Sequence, residues 1–550
     1  MSPARPEPSR NRIAATWAVV LAALLAGLAV LPGVELDRRR AEADSAEAHV
    51  AALDAAVDAA VAAAPAADPP AAVALLRVDR VARVLARSVR DRVLVDALSP
   101  LAAAWPQPSC LSVFLEGREV LGRNADTPLI PASVSKLFTA AGVLDHLDPD
   151  ERLATRVVSA SRPVDGVLAG DVWVVGGGDP LVATAPYADS FRRQPQLHTS
   201  MEALADALVA LPLTSVRGRL LGDDSRHEPA HYVESWPDRY RIQLNTGPLS
   251  ALTVNDGRTA FTTAPEVTTA PALWFVTLLR DLLLVRGVSV DVTLGSGQAP
   301  ADAAELVRVE SPTVRALVQQ MLRESDNNTA EILLREVGLR AGGARAGTTA
   351  AGAAAVERTV AGLVDPRPPP AVVDGSGLDR GNSATCGQLV AVLESFGPDS
   401  AVGRALPVAA RSGTLSHRFA DHPAAGRLSA KTGLLTGVNS LAGFLKTPTG
   451  MLTFAQIVNG VPPDSRVGLE SQETLVEALL GHPADCSTAV ALLDAPWSSA
   501  AAASAAALSP APATGITPQP CIVVPAPPEP PASEEPDPAD TSTTDPSAQE

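Results

Sequence analysis

Three short stretches of this chain carry residue types that could do covalent chemistry together. The first is Pro131-Ala132-Ser133-Val134-Ser135-Lys136. A serine hydroxyl is a weak nucleophile and needs a base beside it. Three residues apart on the first turn of a helix, Ser133 and Lys136 face the same side. The positive end of that helix favours negative charge developing on the hydroxyl. Together with burial and neighbouring cations, it opposes protonation of the amine and brings it down from about 10.4 toward neutrality. The second stretch is Ser325-Asp326-Asn327, ahead of a helical pattern from Thr329 to Leu339. Ser325 offers a proton-relay hydroxyl and Asn327 an amide that can hold a substrate backbone. A helix cap or turn is the plainer use of the same residues. The third is Lys431-Thr432-Gly433, after the run Arg427 to Ala430. On an edge strand, Lys431 and Thr432 could receive a substrate carboxylate, while Gly433 lets a backbone approach closely. An extended peptide could then pair with the strand. The plainer reading of that triplet is a strand end.

Each stretch alone says little; a Ser-x-x-Lys match is expected roughly 0.2 times by chance in this composition. Their conjunction says much more. They occur in order and use two of the only three lysines, Lys136, Lys431 and Lys446, among 44 Lys and Arg residues. Lysine can lose its proton where arginine cannot. The set resembles the three signatures of penicillin-recognising serine enzymes. Further segments narrow the resemblance: Asn124 to Pro128, Gly176-Gly177-Gly178-Asp179-Pro180, Val254-Asn255-Asp256, Asp374 to Leu378, and Gly413-Thr414-Leu415 before Arg418-Phe419. All are similar to the DacB-type class C low-molecular-mass penicillin-binding proteins, over roughly residues 75 to 485; the Ala- and Arg-rich composition resembles that of a high-GC genome, and the resemblance implies an actinobacterial source.

That resemblance implies an α+β fold: a penicillin-binding-protein/β-lactamase-like transpeptidase domain of antiparallel sheet and helices, interrupted by an inserted β-rich domain. It implies a serine-type D-Ala-D-Ala carboxypeptidase acting on peptidoglycan peptides, with D,D-endopeptidase action left open. Carried over residue by residue, Ser133 is the nucleophile and Lys136 its base. Ser325 and Lys431 relay a proton to the leaving amine. Asn327, Thr432 and Gly433 bind substrate, and the backbone N–H groups of Ser133 and Leu434 form an oxyanion hole. β-Lactams are implied as acylating inhibitors, and no metal or organic cofactor is needed. The chain departs from the family at Leu434, where a hydroxyl residue is usual, and at Asp379-Arg380, where Ser-Arg is usual. Two other readings share the motifs: a serine β-lactamase, and a catalytically weakened cell-wall binding protein of the same fold.

These groups need elements to hold them. Leu111 to Leu115 and Glu119 to Leu121 read as a hairpin around Glu116-Gly117-Arg118. A helix is expected from about Pro131, and three successive strands from Arg427 to Asn459, with turns at 434–437 and 447–450. The expected peptidase domain comprises 71–155 and 306–490, with 156–305 inserted between. Residues 1–40 carry a basic leader and the apolar run Ile13 to Val34, a signal peptide or retained membrane anchor. Either reading sends the chain outside the cytoplasm, to the membrane or the cell wall. Residues 41–70 read as an Ala-rich stalk, and 495–550 as a disordered Pro/Ala/acidic tail.

Composition excludes one class of partner. The net charge is −17, so a nucleic-acid-binding surface is not expected. Four cysteines, Cys110, Cys386, Cys486 and Cys521, follow no metal spacing. A Cys110–Cys486 bridge, a Cys110–Cys386 bridge and buried free thiols all remain open. His417 near Asp421 is the best candidate for a histidine base, but no Gly-x-Ser-x-Gly elbow accompanies it. The Gly176–Gly178 run reads as a turn, not a phosphate cradle.

Overall fold

The computed structural model describes residues 78–481, apart from 192, 195, 212, 262–264, 344, 365–366, 449 and 464. The leader, stalk and tail expected at 1–40, 41–70 and 495–550 lie outside the described residues, as do Cys486 and Cys521. No described helix is long and apolar enough to cross a membrane.

In chain order, helix α1 (Val78–Ala104) leads into a hairpin of β1 (Ser109–Leu115) and β2 (Arg118–Arg123). A 3₁₀ turn, Ala132–Ser135, runs directly into α2 (Lys136–His146). The insertion follows with β3 (Arg152–Ser159), β4 (Val167–Ala169), β5 (Val172–Val175), α3 (Met201–Ala210), β6 (Ser215–Asp223), α4 (Pro271–Val285), β7 (Ser289–Ser296) and β8 (Ala304–Thr313). Helices α5 (Val314–Glu324), α6 (Asn327–Gly342), α7 (Thr349–Val364) and α8 (Cys386–Phe396) come next. Strands β9 (Leu428–Leu435), β10 (Val438–Thr447) and β11 (Gly450–Asn459) and helix α9 (Val467–Leu480) close the described chain.

The main sheet has the order β9-β10-β11-β1-β2 and is antiparallel throughout. Its side chains alternate between two cores, as the period of a strand requires. Leu111, Val113, Leu441, Leu445, Leu452, Phe454 and Val458 pack with Leu94 and Leu98 of α1 and Leu475 and Leu479 of α9. Cys110, Ala442, Phe444, Ala455 and Ile457 pack with α2, α5, α6, α7 and α8. Both faces are therefore covered, which explains the near-continuous apolar sequence of these strands. Helix α6 packs on α2 and α7 within the second layer. A disulfide between Cys110 and Cys386 joins β1 to the first residue of α8. This selects one of the pairings that the spacing left open.

The insertion has its own sheet, ordered β7-β6-β5-β3-β8, with β4 also paired to β6. Its first and last strands, β3 and β8, pair antiparallel, so the chain leaves and re-enters the peptidase part through neighbouring strands. The strands around β6 are parallel. Helices α3 and α4 cover one face, with Met201, Leu204, Leu208, Phe275, Leu279 and Leu283 in the core. The insertion is thus mixed, richer in helix than the sequence reading of short strands and Gly/Pro breaks. The Gly176–Gly178 run is a packing device. A Cβ on Gly177 would stand 2.1 Å from the Ala154 carbonyl oxygen, and one on Gly178 would stand 2.2 Å from the Glu336 carboxylate.

Candidate active site

Ser133 stands in the 3₁₀ turn and Lys136 is the first residue of α2. The helix expected from about Pro131 therefore begins as a tighter coil. In a 3₁₀ turn the side chains at i and i+3 eclipse each other, which brings these two groups together. Lys136 Nζ donates to Ser133 Oγ at 3.1 Å, to Asn327 Oδ1 at 2.7 Å and to the Ser376 carbonyl at 2.6 Å. The Ser133 hydroxyl also faces that carbonyl, at 3.4 Å. Lys136 is fully buried. Burial lowers its pKa to about 8, against the opposing charges of Asp374, Glu331 and Asp326. The depression expected from sequence is present and comes from burial, while three neighbouring acids oppose it.

The Ser325-Asp326-Asn327 triplet forms the corner between α5 and α6. Ser325 closes α5 in the left-handed conformation, with φ 60°. Asp326 caps α6, accepting from the Thr329 N–H at 3.1 Å and its hydroxyl at 2.8 Å. Capping thus belongs to Asp326, which frees its two neighbours. Ser325 Oγ accepts from Lys431 Nζ at 2.8 Å. Asn327 donates through Nδ2 to the Asn245 carbonyl at 2.6 Å. The insertion therefore supplies one of the two contacts that orient this amide. Ala132, just before the nucleophile, is also left-handed, at φ 52°. Each such non-glycine residue costs about 1–2 kcal/mol, so strain is stored at Ser325 and next to Ser133.

Lys431 lies in the middle of β9, an edge strand, and not at a strand end. It is fully buried, and its pKa is driven well down by burial and then by the charge of Lys136. Its Nζ also donates to the Thr432 carbonyl at 2.8 Å. Thr432 Oγ1 meets Thr414 Oγ1 at 2.9 Å. Gly433 must be glycine for lack of room: a Cβ there would stand 2.2 Å from Ser440 Oγ and 3.1 Å from the Ser133 nitrogen. The edge strand thereby lies against the nucleophile's own N–H. Ser440 Oγ fastens β10 to the same turn by donating to the Pro131 carbonyl at 2.6 Å. Leu434 is 71% exposed, so its side chain projects away from this packing. Asp379 is buried and accepts from the Ser235 hydroxyl and from the Gly381 N–H. Arg380 reaches the Thr436 carbonyl at 2.9 Å.

All eight expected residues belong to this assembly: Ser133, Lys136, Ser325, Asn327, Lys431, Thr432 and Gly433 by the contacts above, and Leu434 as the next residue of the same strand. Sequence reasoning missed the Ser376 carbonyl, the Asn245 carbonyl and Thr414 as partners of these groups. Backbone acceptors leave no mark in residue identity; for Ser376 the only signal was the Asp374–Leu378 segment. A cavity of about 220 Å³ borders the Ser325 corner, with Tyr187, Asp256, Glu324 and Asp326 among its walls. Tyr187 donates to Asp256 at 2.7 Å, and burial, then the Asp326 charge, raises Asp256 to about 7. His417 takes no part in the cluster formed by these contacts.

The D-Ala-D-Ala carboxypeptidase 3 (S13) family matches residues 112–271 and 267–480 of this sequence. A carboxypeptidase of Mycobacterium tuberculosis is 32% identical over 373 residues, which cover 66% of this chain and 77% of the relative. A D-alanyl-D-alanine carboxypeptidase of an Actinomadura species is 26% identical over 423 residues, covering 62% of this chain and 76% of the relative. Among solved structures, penicillin binding protein 4 of Haemophilus influenzae is similar at a TM-score of 0.59 and 20% identity, covering 70% of this chain and 99% of that one. That likeness is one of fold, and it agrees with the α+β architecture expected from the motifs. Since the family match spans well over half of the sequence, this chain belongs to the D-Ala-D-Ala carboxypeptidase 3 (S13) family and is a serine-type D-Ala-D-Ala carboxypeptidase.

Proposed function

We propose that the carboxypeptidase reaction runs through an acyl-enzyme on Ser133. The observation that carries this reading is the fully buried Lys136 ammonium 3.1 Å from the Ser133 hydroxyl. A base works best when its pKa lies near the operating pH, and Lys136 is lowered to about 8. In this mechanism Ser133 Oγ attacks the carbonyl of the penultimate D-Ala and its proton passes to Lys136. The N–H groups of Ser133 and Leu434 hold the oxyanion that forms. Ser325 and Lys431 deliver a proton to the departing D-Ala nitrogen as the C–N bond breaks. Water then attacks the ester, freeing the shortened peptide and restoring the serine hydroxyl. Asn327 orients the acyl portion, and Thr432 and Gly433 line the path of the substrate backbone along β9.

The substrate follows as a peptidoglycan stem peptide ending in D-Ala-D-Ala, and β-lactams as inhibitors that stop at the acyl-enzyme. A Haemophilus influenzae penicillin binding protein 4 solved with a β-lactam shares the fold at a TM-score of 0.53 and supports this. The site of action follows as the cell envelope, outside the cytoplasm. The Cys110–Cys386 disulfide supports that placement, because such bonds persist in oxidising compartments.

Mass spectrometry of the penicillin-treated protein tests the proposal. The expected result is one covalent adduct on the peptide containing Ser133, lost slowly, together with release of D-Ala from a stem pentapeptide. An adduct elsewhere would overturn the assignment of the nucleophile. Rapid turnover of penicillin with no peptide cleavage would favour the β-lactamase reading. Cross-linked stem peptides in the same assay measure any endopeptidase action directly.

A further inference from the structure

One turn into α6, Glu331 is fully buried, and the mechanism above leaves it unused. Its carboxylate accepts the Ser376 N–H at 2.7 Å and the Gly375 N–H at 3.2 Å. The carbonyl of Ser376 is in turn the nearest acceptor of Lys136, at 2.6 Å. Asp374, also fully buried, grips the same loop from within. Its Oδ1 accepts from the Gly377 N–H and from Asn382 Nδ2, both at 2.8 Å. Its Oδ2 accepts from the Asp379 N–H at 2.6 Å and from Trp236 Nε1 at 2.8 Å. Thr139, on the same helix as Lys136, ties down the Gly375 carbonyl at 2.7 Å. The loop is thus clamped from α6, from α2 and by its own Asp374, and it presents one carbonyl to the amine.

We propose that Glu331 is a positioning residue for the reaction: with Asp374 it fixes the Ser376 carbonyl against Lys136 and sets the charge state of that amine. This rests on the reading of Lys136 as the base of Ser133. The electrostatics follow from the groups that face one another. Lys136 faces the acids Asp374, Glu331 and Asp326, and across the site the amine of Lys431. Glu331 faces Asp374, and its charge is felt by Arg335 further along its own helix. Burial alone would drive the Lys136 amine further down, and the three acids restrain it. Burial, then the Asp374 charge, raises Glu331 to about 8. Glu336, on the same helix, is the contrast. Burial opposes its ionisation too, but His227 and Arg226 outweigh it and lower the group to about 2. That acid is a fixed ion-pair partner. Glu331 has no such cation in hydrogen-bond contact among the described residues, and its upward shift leaves it ionised above about 8, where Lys136 gives up its proton.

The scarcity of lysine makes this measurable. With only Lys136, Lys431 and Lys446 in the chain, lysine-selective ¹³C labelling gives three signals to assign and titrate. In Glu331→Gln, the Lys136 signal is expected to titrate at least about half a pH unit below that of the wild type, because a neighbouring negative charge has been removed. The rising limb of penicillin acylation should move to lower pH by the same amount. Its plateau should fall about tenfold with KM for the peptide nearly unchanged, since the loosened carbonyl positions the base less well. Glu331→Asp keeps the charge at shorter reach; it should return the titration to the wild-type position while the plateau stays low. An unmoved Lys136 titration in folded Glu331→Gln would overturn the proposal, whatever happens to the rate. Should Glu331→Gln fail to fold, Asp374→Asn gives the same reading, with a downward move expected and an unmoved signal counting against it. The titration is read without any acylation, so an error in assigning Ser133 would appear separately, in the adduct map.

Discussion

The two Ser–Lys pairs of the site reach nearly the same geometry by opposite routes. Ser133 and Lys136 lie one turn apart and meet at 3.1 Å. Ser325 and Lys431 are 106 residues apart and meet at 2.8 Å. The first pair is made by the local coil, and its contact is nearly guaranteed once the 3₁₀ turn forms. The second exists only when the α5–α6 corner docks on the edge of the main sheet. Their surroundings differ as well. Lys136 is buried but faces three acids, which hold it near 8. Lys431 is buried and feels the positive charge of Lys136, with no acid among its influences, so it falls further. A poised amine beside the nucleophile and one pushed further toward its neutral form beside the second hydroxyl suit different tasks, base and relay. The comparison teaches that similar distances need not mean similar roles.

The largest effect should come from removing the hydroxyl of the local pair. Ser133→Ala is expected to abolish labelling by fluorescent penicillin and to lower peptide cleavage by about 10⁴-fold or more, as loss of a nucleophile does. Labelling that survives in this variant would show that the other serine carries the chemistry. Next in size are the amines. Lys136→Arg and Lys431→Arg fix a positive charge at each position and forbid deprotonation. Each should slow acylation by about 10²- to 10⁴-fold, the span of general acid–base catalysis. The pH profile separates them in the wild type. Below about 8, Lys136 is protonated and cannot accept the Ser133 proton, so acylation should fall about tenfold per pH unit. A flat stopped-flow profile between pH 6 and 9 would mean that this amine does not limit the rate.

How legible each part was follows the same division. The local pair could be read from six residues, because helical spacing alone puts position 136 beside position 133. The triplets at Ser325 and Lys431 became readable only through their order and the rarity of lysine. Nothing in either stretch states that they touch. Glu331 was invisible as a site residue: in a helical pattern an acid reads as a solvated position, and its partners Gly375 and Ser376 lie 44 and 45 residues away. The main-sheet strands and the hairpin were legible from apolar runs and turn residues. Helices α3 and α4 of the insertion were not, since Gly and Pro breaks dominate the pattern there, and dense apolar runs such as Leu278 to Val285 do not distinguish strand from helix by period alone.

A smaller loss should separate the relay from the base. Ser325→Ala removes the acceptor of Lys431 Nζ but leaves the contact to the Thr432 carbonyl. The expected result is about a 10²-fold fall in acylation by a peptide, whose leaving amine needs a proton. The fall for penicillin should be smaller, because opening of the strained lactam ring makes the leaving nitrogen less demanding. Equal losses for both substrates in rapid-quench measurements would argue that Ser325 holds structure instead of passing a proton.

The smallest effect belongs to Leu434, where the chain departs from its relatives' usual hydroxyl. The residue follows Gly433 on the edge strand, and its side chain is 71% exposed, so a substitution meets little packing. Its backbone N–H is the part assigned to the oxyanion hole, and that survives any non-proline replacement. Leu434→Thr should therefore leave the melting temperature and the penicillin acylation plateau nearly unchanged. A hydroxyl beside the bound terminus adds one hydrogen bond to a carboxylate, worth about 1.5–3 kcal/mol when fully formed and less in an exposed setting. A fall in KM of about three- to tenfold for peptides with a free C-terminal carboxylate is the expected outcome, with none for the C-terminal amide. Equal gains for acid and amide would show that the side chain acts on the strand and not on the carboxylate, and would leave the second pair, with Thr432, as the anchor of that end of the substrate.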